Sequence, residues 1–308
     1  MIFYLFPRDT FVGIATYREN DIPELEVSDE LPERITLLDY YPPTSVRFEI
    51  PSAVNALQAL GYYSLASLGD AALNPHQWTF QFPLFLNTRA KSFLTFALDY
   101  INLSRPVAIW AIVRSPDGQE YTHFISRIAV LTEVNLQVPP NGYVTISLTF
   151  SSPFSHVFQD NEPALNTIYP AAANERGILI RDLRITAKIE THPSEKEVMS
   201  LSLSTRRQIT WVWTTFDTSR HSLGARRAAT MFAVSPITPR GNLTLGYPFN
   251  FSLLQDASLQ PLQEVNIYVR DLMTWTLLGF KINSWAQDFS TGAAGLNIAF
   301  SFLDWLIS

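Results

Sequence analysis

The chain of 308 residues contains no cysteine, and this absence excludes several kinds of site. Without thiols it can form no disulfide framework, thiolate-bound zinc site, iron–sulfur cluster or cysteine nucleophile. Glycine is also sparse, and no glycine-rich loop of the kind that cradles phosphate occurs. No apolar run approaches the roughly 20 residues needed to cross a bilayer, so membrane insertion is not expected.

Charged residues are few, at 16% of the chain, and they leave a formal net charge of −6. An acidic chain lacks the surplus of lysine and arginine that neutralises phosphates, which argues against a role in nucleic-acid recognition. Hydrophobic residues make up 47%, so the chain is expected to fold, and its low charge leaves much apolar or neutral surface. Contacts between subunits explain such a surface better than a monomeric state does.

The polar residues indicate neither a metal site nor a catalytic centre. The five histidines stand singly, and no H-E-x-x-H or G-x-S-x-G motif occurs. Ser155, His156 and Asp160 are close in sequence, but they are interpreted as part of a polar linker. The acidic stretch at residues 18–34 is interpreted as a solvated loop, because it lacks the regular spacing of a calcium loop. We therefore predict no catalytic residue, no cofactor and no bound metal, and expect a protein that is not an enzyme.

Two functions outside assembly stay open as alternatives. A polysaccharide hydrolase needs only two carboxylates that are close in space, which a sequence cannot exclude. A carbohydrate- or receptor-binding β-sandwich would need a stacking platform built from some of the seven tryptophans. Core packing or a subunit interface is the preferred interpretation of these residues, because most stand at alternating strand positions. The tryptophans are Trp78, Trp110, Trp211, Trp213, Trp275, Trp285 and Trp305.

The pattern of apolar residues predicts a mainly β protein with minor α content. Many segments alternate apolar and polar residues, as Tyr143–Phe150 does, which indicates strands with one buried and one wet face. The clearest helix covers residues 88–102, with Thr88 as N-cap, an apolar stripe at helical spacing, and Pro106 beyond its end. A second helical pattern covers Ala53–Leu68.

A long β-hairpin is predicted at residues 197–216, with its tip at Thr205-Arg206-Arg207. Large apolar side chains on its two arms form the proposed subunit interface: Leu201, Leu203, Ile209, Trp211 and Trp213. A long hairpin is marginally stable alone, and burying each large apolar side chain contributes roughly 1.5–3 kcal/mol. We therefore expect this face to pack on an adjacent subunit of a ring.

A faint internal repeat divides the chain into two halves. Arg114 and Arg270 each end a strand pattern, Phe124 and Phe280 each follow in the next strand, and both pairs are 156 residues apart. A polar stretch containing prolines lies between the patterned halves, as expected of a linker. The prediction is a first β domain, a linker and a second β domain, at residues 1–155, 156–173 and 174–308.

The order of elements in Glu33–Phe150 resembles the tail-tube module of tailed bacteriophages, and Gln77–Phe150 carries the resemblance best. The order is strand pair, strand, helix, hairpin and closing strand. The resemblance implies a β-sandwich or rolled barrel with one flanking helix, whose copies join their sheets into a ring. Gly177–Leu303 resembles a second, helix-poor copy in which the hairpin at 197–216 is an extended arm.

Two copies in one chain resemble a tube initiator, a baseplate hub or a distal tail protein. The resemblance then implies a structural virion component that is assembled in the host cytoplasm as a homo-oligomeric ring, a trimer or a hexamer. Its partners would be other tail and baseplate proteins, with DNA only as non-specifically conducted cargo. An acidic chain suits a conduit, because a basic lumen would bind the DNA that passes through it.

Overall fold

Strands dominate the computed structural model, and the predicted mainly β architecture with minor helical content is confirmed. The structure describes residues 2–5, 10–16, 36–37, 44–49, 54–57, 67–70, 75–86, 88–114, 120–153, 155–160, 177–187, 195–196, 198–213, 229–246, 263–288 and 295–308. The acidic stretch at 18–34 lies outside these residues.

The described residues of the first half of the chain form eleven strands and one helix. They are β1 Ile2–Leu5, β2 Thr10–Thr16, β3 Thr36–Leu37, β4 Ser45–Glu49, β5 Val54–Leu57, β6 Ser67–Asp70, β7 His76–Pro83, α1 Thr88–Leu103, β8 Pro106–Arg114, β9 Tyr121–Val138, β10 Thr145–Ser152 and β11 His156–Asp160. The strand β11 takes up the beginning of the predicted linker.

In the second half, the described residues form ten strands after a 3-10 turn at Ile180–Asp182. They are β12 Leu183–Ala187, β13 Glu195–Lys196, β14 Val198–Arg206, β15 Ile209–Trp213, β16 Ala229–Val234, β17 Thr238–Gly246, β18 Gln263–Val269, β19 Met273–Asp288, β20 Gly295–Ser301 and β21 Asp304–Ile307.

The two predicted helices fare differently. The pattern at 88–102 forms α1, whose apolar stripe, including Leu94 and Ile101, is buried in the core. Phe93 of α1 meets Phe82 of β7 edge-on, with ring centroids 4.8 Å apart, so the helix covers one face of the sheet. The predicted helix at Ala53–Leu68 is wrong, because Val54–Leu57 pairs as a strand with β6. Cross-strand pairing there overrides the local helix propensity of alanine and leucine.

The largest sheet runs in the order β1-β4-β7-β10-β9-β14-β17-β20-β19, and each of its pairings is antiparallel. The strands β9 and β19 are long enough to belong to a second sheet as well. Their first halves complete the sheets β3-β2-β8-β9-β11 and β13-β12-β18-β19-β21. β-Bulges in the middle of both strands provide the bend that such a change of sheet requires.

The strand pairings repeat, because every strand from β2 to β11 has a counterpart ten strands later with corresponding partners. β2 pairs with β3 and β8, as β12 pairs with β13 and β18. β5 pairs with β6, as β15 pairs with β16. β10 pairs with β7 and β9, as β20 pairs with β17 and β19. In the part of the chain described, neither β1 nor α1 has a counterpart.

The registers give the residue equivalences between the first repeat (β2–β11) and the second repeat (β12–β21). Arg114 ends β8 and Arg270 follows β18, which agrees with the sequence prediction. The predicted match of Phe124 with Phe280 is wrong. Phe124 pairs with Ala111, and the counterpart of Ala111 on β18, Ile267, pairs with Trp275, so Trp275 is the counterpart of Phe124. The turn between β18 and β19 is shorter than that between β8 and β9, which shifts the second strand of the hairpin.

One continuous hydrophobic core contains buried residues of both repeats, from Ile14 to Trp305. In the first repeat the rings of Phe48 and Trp78 pack with centroids 4.4 Å apart. In the second, Trp275 meets Trp305 edge-on at 6.2 Å. The repeats share a sheet and a core. The division into two separate domains stays a prediction.

A buried ion pair fixes the entry to the second repeat. Asp182 is fully buried, and its Oδ1 atom lies 2.7 Å from Nε of Arg270. Its Oδ2 atom accepts a hydrogen bond of 2.9 Å from the backbone N–H of Leu179. The carboxylate thereby joins the 3-10 turn before β12 to the turn after β18. In sequence the first repeat carries the same residue types, since Arg8-Asp9 directly precedes β2 as Arg181-Asp182 precedes β12.

We predict that Asp182→Ala lowers the free energy of unfolding by about 1–3 kcal/mol, because the backbone N–H of Leu179 and the guanidinium of Arg270 lose their acceptor. The loss is limited because Arg270 is half-exposed and water can solvate it. Urea denaturation measures the effect, with Asp271→Ala as the control because Asp271 is an exposed neighbouring carboxylate. Equal denaturation midpoints for the two variants would contradict this role of Asp182.

Candidate subunit interface

The two repeats are joined by strand pairing between β9 and β14, which we call the internal junction. Over six register pairs, residues 133–138 of β9 lie antiparallel to residues 206–201 of β14. Leu203 lies opposite Leu136, and Leu201 lies opposite Val138; all four side chains are buried. The second repeat therefore continues the sheet of the first without a gap.

Arg207 closes the end of the internal junction. Its backbone N–H donates to the carbonyl oxygen of Thr132 at 2.9 Å. Its guanidinium donates to Ser104 Oγ and to the carbonyl oxygen of Asn102 at the C-terminal end of α1. Cations are favoured at this end of a helix, where the backbone dipole is negative. Burial lowers the pKa of the Arg207 guanidinium.

The strand β15 reaches across the internal junction onto the first repeat. Trp211 of β15 packs with Ile209 against Ile128 and Val130 of β9. Its Nε1–H donates to Ser151 Oγ at 2.8 Å, so its single polar group has a partner. The tryptophan is buried, at 7% exposure, by residues of the other repeat.

The predicted hairpin at 197–216 is wrong in its pairing, since β14 lies between β9 and β17, and β15 pairs with β16. Of the proposed interface residues, Leu201, Leu203 and Trp211 are buried within the single chain, and Ile209 is half-buried. Trp213 lies in β15, and its side chain is outside the described part. The surface that covers this segment is thus the first repeat of the same chain, and a further role between subunits stays a prediction.

Residues 281–288 of β19 form a strand edge that no described strand covers. On one side of β9, β8 pairs with its first half and β14 with its second. On the same side of β19, β18 pairs with the first half, and no described strand pairs with residues 281–288. We call residues 281–288 the β19 edge.

Side-chain exposure confirms the difference between the two long strands. Next to the bulges, Leu131 lies opposite Phe150 and Ile282 lies opposite Phe300. Leu131 and Ile282 are therefore counterparts, and β19 residues follow their β9 counterparts by 151 positions. Trp285 is then the counterpart of Val134. Val134 is fully buried under the internal junction, whereas Trp285 is 44% exposed. A large, partly exposed aromatic side chain on a strand edge that no described strand covers is typical of a surface that another chain covers.

At the opposite end of the sheet, β1 covers the edge of β4. Four register pairs join them, with Phe3 opposite Phe48 and Leu5 opposite Val46. In the β-sheet next to β4, His76 of β7 packs edge-on against the ring of Phe48 at 5.9 Å. Burial lowers the pKa of His76 to about 4, so its imidazole is neutral at physiological pH.

The polar residues considered for catalysis are engaged structurally where they are described. Ser155 shares a hydrogen bond with Ser126, which also accepts a bond of 2.6 Å from Nε1–H of Trp78. His156 and Asp160 belong to β11, and their side chains lie outside the described part. Among the described residues, no cluster of histidine and acidic side chains could hold a metal ion. No helix in that part of the chain is long and apolar enough to span a membrane.

The tryptophans do not form a platform for sugars among the residues described. Trp78, Trp211, Trp275 and Trp305 are buried, whereas Trp285 is exposed. The side chains of Trp110 and Trp213 lie outside the described part.

No model of a known protein family and no curated protein matches the chain. The structural features that bear on function are the β19 edge, which no described strand covers, and the internal junction. The sequence identifies Trp285 as one of seven tryptophans but does not assign it to a strand edge. The signal that was present is the polar and small character of residues 283–288 beside that tryptophan.

We predict that Trp211→Ala destabilises the single chain by about 3–5 kcal/mol, because it leaves a cavity between the repeats and removes the donor to Ser151. Trp285→Ala is the matched control, since it removes the same side chain from an exposed position. It should change the free energy of unfolding by about 1 kcal/mol or less. Urea denaturation of dilute protein measures both, and a larger effect for Trp285 would refute the assignment of the two tryptophans.

Proposed function

We propose that the chain is a structural virion component of a phage tail that forms or initiates a ring of the tail tube or baseplate. Inter-subunit β-sheet assembly would join the copies. The observation that carries this proposal is the β19 edge, which no described strand covers, whereas β14 covers the corresponding edge of β9. The second repeat therefore carries, at residues 281–288 of β19, the counterpart of the β9 edge that pairs with β14.

The geometry of the internal junction favours a closed ring over a two-fold dimer. The internal junction joins two different surfaces, the second half of β9 and the edge of β14. Such head-to-tail contacts generate rings when the rotation between successive units closes. Closure would also cover the two terminal edges of the largest sheet, and open strand edges are otherwise sites of uncontrolled pairing. Three chains would supply six repeats to a ring, and six chains would supply twelve.

The side chains on the open face of the large sheet suit a conduit. One face carries the core and α1. The other is lined mainly by hydroxyl and amide groups, together with charged side chains of both signs: Arg47, Glu133, Arg240 and Lys281. Ser200 Oγ donates to Thr244 Oγ1 at 2.9 Å, and Thr244 donates to Asn297 Oδ1 at 2.8 Å across three strands. In the first repeat, the Oγ1 atoms of Thr79 and Thr149 share a hydrogen bond of 3.4 Å. Hydroxyl and amide groups release no counterions from DNA, and the carboxylates on this face offset part of its positive charge, so a passage lined in this way would hold DNA weakly.

We predict that the purified full chain forms annular particles at high concentration, visible by negative-stain electron microscopy and as a discrete species in analytical ultracentrifugation. Trp285→Ala should reduce the ring fraction, because aromatic side chains at interface centres contribute much of the binding energy. Tyr268→Ala is the matched control. Tyr268 is an exposed aromatic on β18, which already has β12 and β19 on its two sides.

The control variant should assemble like the wild type. The proposed function would be refuted if both the wild-type chain and a variant lacking residues 2–5 stay monomeric at all concentrations. Rings that form equally well in both variants would remove Trp285 from the contact.

A further inference from the structure

We infer that each ring contact forms when the β19 edge of one chain replaces β1 on β4 of the next chain, in the register of the internal junction. This inference rests on the proposed function and specifies the contact by which copies of the chain would join. It identifies a second copy as the occupant of the β19 edge and β1 as a temporary cover of the matching edge.

The register of this contact follows from the equivalence of the repeats. Phe48 pairs with Trp78, which pairs with Phe150. In the second repeat, Leu203 pairs with Gly241, which pairs with Phe300. Phe150 and Phe300 are counterparts, because each lies next to the bulge of its sheet. Phe48 and Leu203, which stand in the same row as these phenylalanines, are therefore counterparts as well, and β4 residues precede their β14 counterparts by 155 positions.

Transferring the internal junction by these offsets fixes which residues meet between chains. Gln137 lies opposite Ser202 within the chain. Their counterparts are Asp288 of the β19 edge and Arg47 of β4, so a carboxylate would lie opposite a guanidinium between two chains. Opposite charges that face each other across antiparallel strands stabilise the pairing. Arg47 is exposed and bound at 2.8 Å to the carboxylate of Glu49 on its own strand, so it is accessible to a second chain.

The strand β1 occupies the place that the next chain would need. At β4, Phe3 and Leu5 lie opposite Phe48 and Val46. Within the chain, the counterparts of Phe48 and Val46 are Leu203 and Leu201 of β14. Leu136 and Val138 lie opposite these two leucines. Both β1 and β9 therefore place apolar residues at these two positions. The pairing of β1 is shorter, with four register pairs against six.

The two strands cannot both be accommodated without breaking the pattern of the sheet. Both β1 and an incoming β19 edge would run antiparallel to β4, and would therefore be parallel to each other. Every described pairing in the chain is antiparallel. Exchange of one strand for the other keeps this arrangement. A covered edge also protects the single chain from pairing with unrelated strands before assembly.

Cysteine cross-linking tests the inference, because the chain has no native cysteine to interfere. Antiparallel partners have Cα atoms about 4.5–5.5 Å apart, within the range that a disulfide spans. Arg47→Cys combined with Asp288→Cys should give a disulfide between chains, seen as a ladder of multiples on a non-reducing gel. Arg47→Cys combined with Gln287→Cys is the control. It is displaced by one residue, which places the second cysteine on the opposite face of the sheet.

A second pair tests the removal of β1. Tyr4 lies opposite Arg47, so Tyr4→Cys with Arg47→Cys can lock β1 onto β4 under oxidation. We expect loss of the ring species in the oxidised form and its return after reduction, as measured by analytical ultracentrifugation. A variant lacking residues 2–5 should assemble at lower concentration than the wild type. Denaturation curves of the dilute variants show whether each remains folded.

The outcomes separate this inference from the proposed function. Rings that form while β1 is locked, or that give cross-links only in the displaced control, overturn the strand exchange and leave ring formation intact. The absence of any oligomer, in the wild type and in the variant lacking residues 2–5, overturns both. Assembly only after deletion of residues 2–5 supports both.

Discussion

The edge of an antiparallel strand leaves a row of backbone N–H and C=O groups that must be paired or covered, and this requirement organises the molecule. Along β9 the requirement is met on both sides, by β10 and β11 on one side and by β8 and β14 on the other. The pairing with β14 is what attaches the second repeat to the first. Along β19 the same positions are left open at residues 281–288 within the described structure, and the proposed function follows from that difference.

The internal junction carries two contacts that have no equivalent among the described residues of the outer edges. Trp211 packs on Ile128 and Val130, and Arg207 binds the end of α1. By the same offsets, Ala56 takes the place of Trp211, while Gly279 and Lys281 take the places of Ile128 and Val130. A contact between chains would therefore depend mainly on strand pairing and on Trp285. This asymmetry suits a permanent joint inside the chain and a joint between chains that forms during assembly.

Local patterns predicted the parts of the fold that depend on neighbouring residues. The helix α1 has an N-cap and an apolar stripe, and alternation identified strands such as β10 and β20. The partners of β14 could not be predicted, because its residues pair with β9, more than sixty positions earlier in the sequence. The segment at 197–216 reads as a hairpin, yet its two arms pair elsewhere. Trp285 was not assigned to an edge for the same reason, since exposure depends on which strands are present and on which are not.

Amide hydrogen exchange on dilute protein and on isolated rings tests the central claim most directly. The account predicts that amides at 281–288 of β19 exchange quickly in the single chain and become protected in the ring, whereas the amides of β9 are protected in both. Protection should fall at residues 2–5 in the same sample, because β1 leaves β4. Unchanged exchange at 281–288 in isolated rings would contradict the claim that this edge joins the copies.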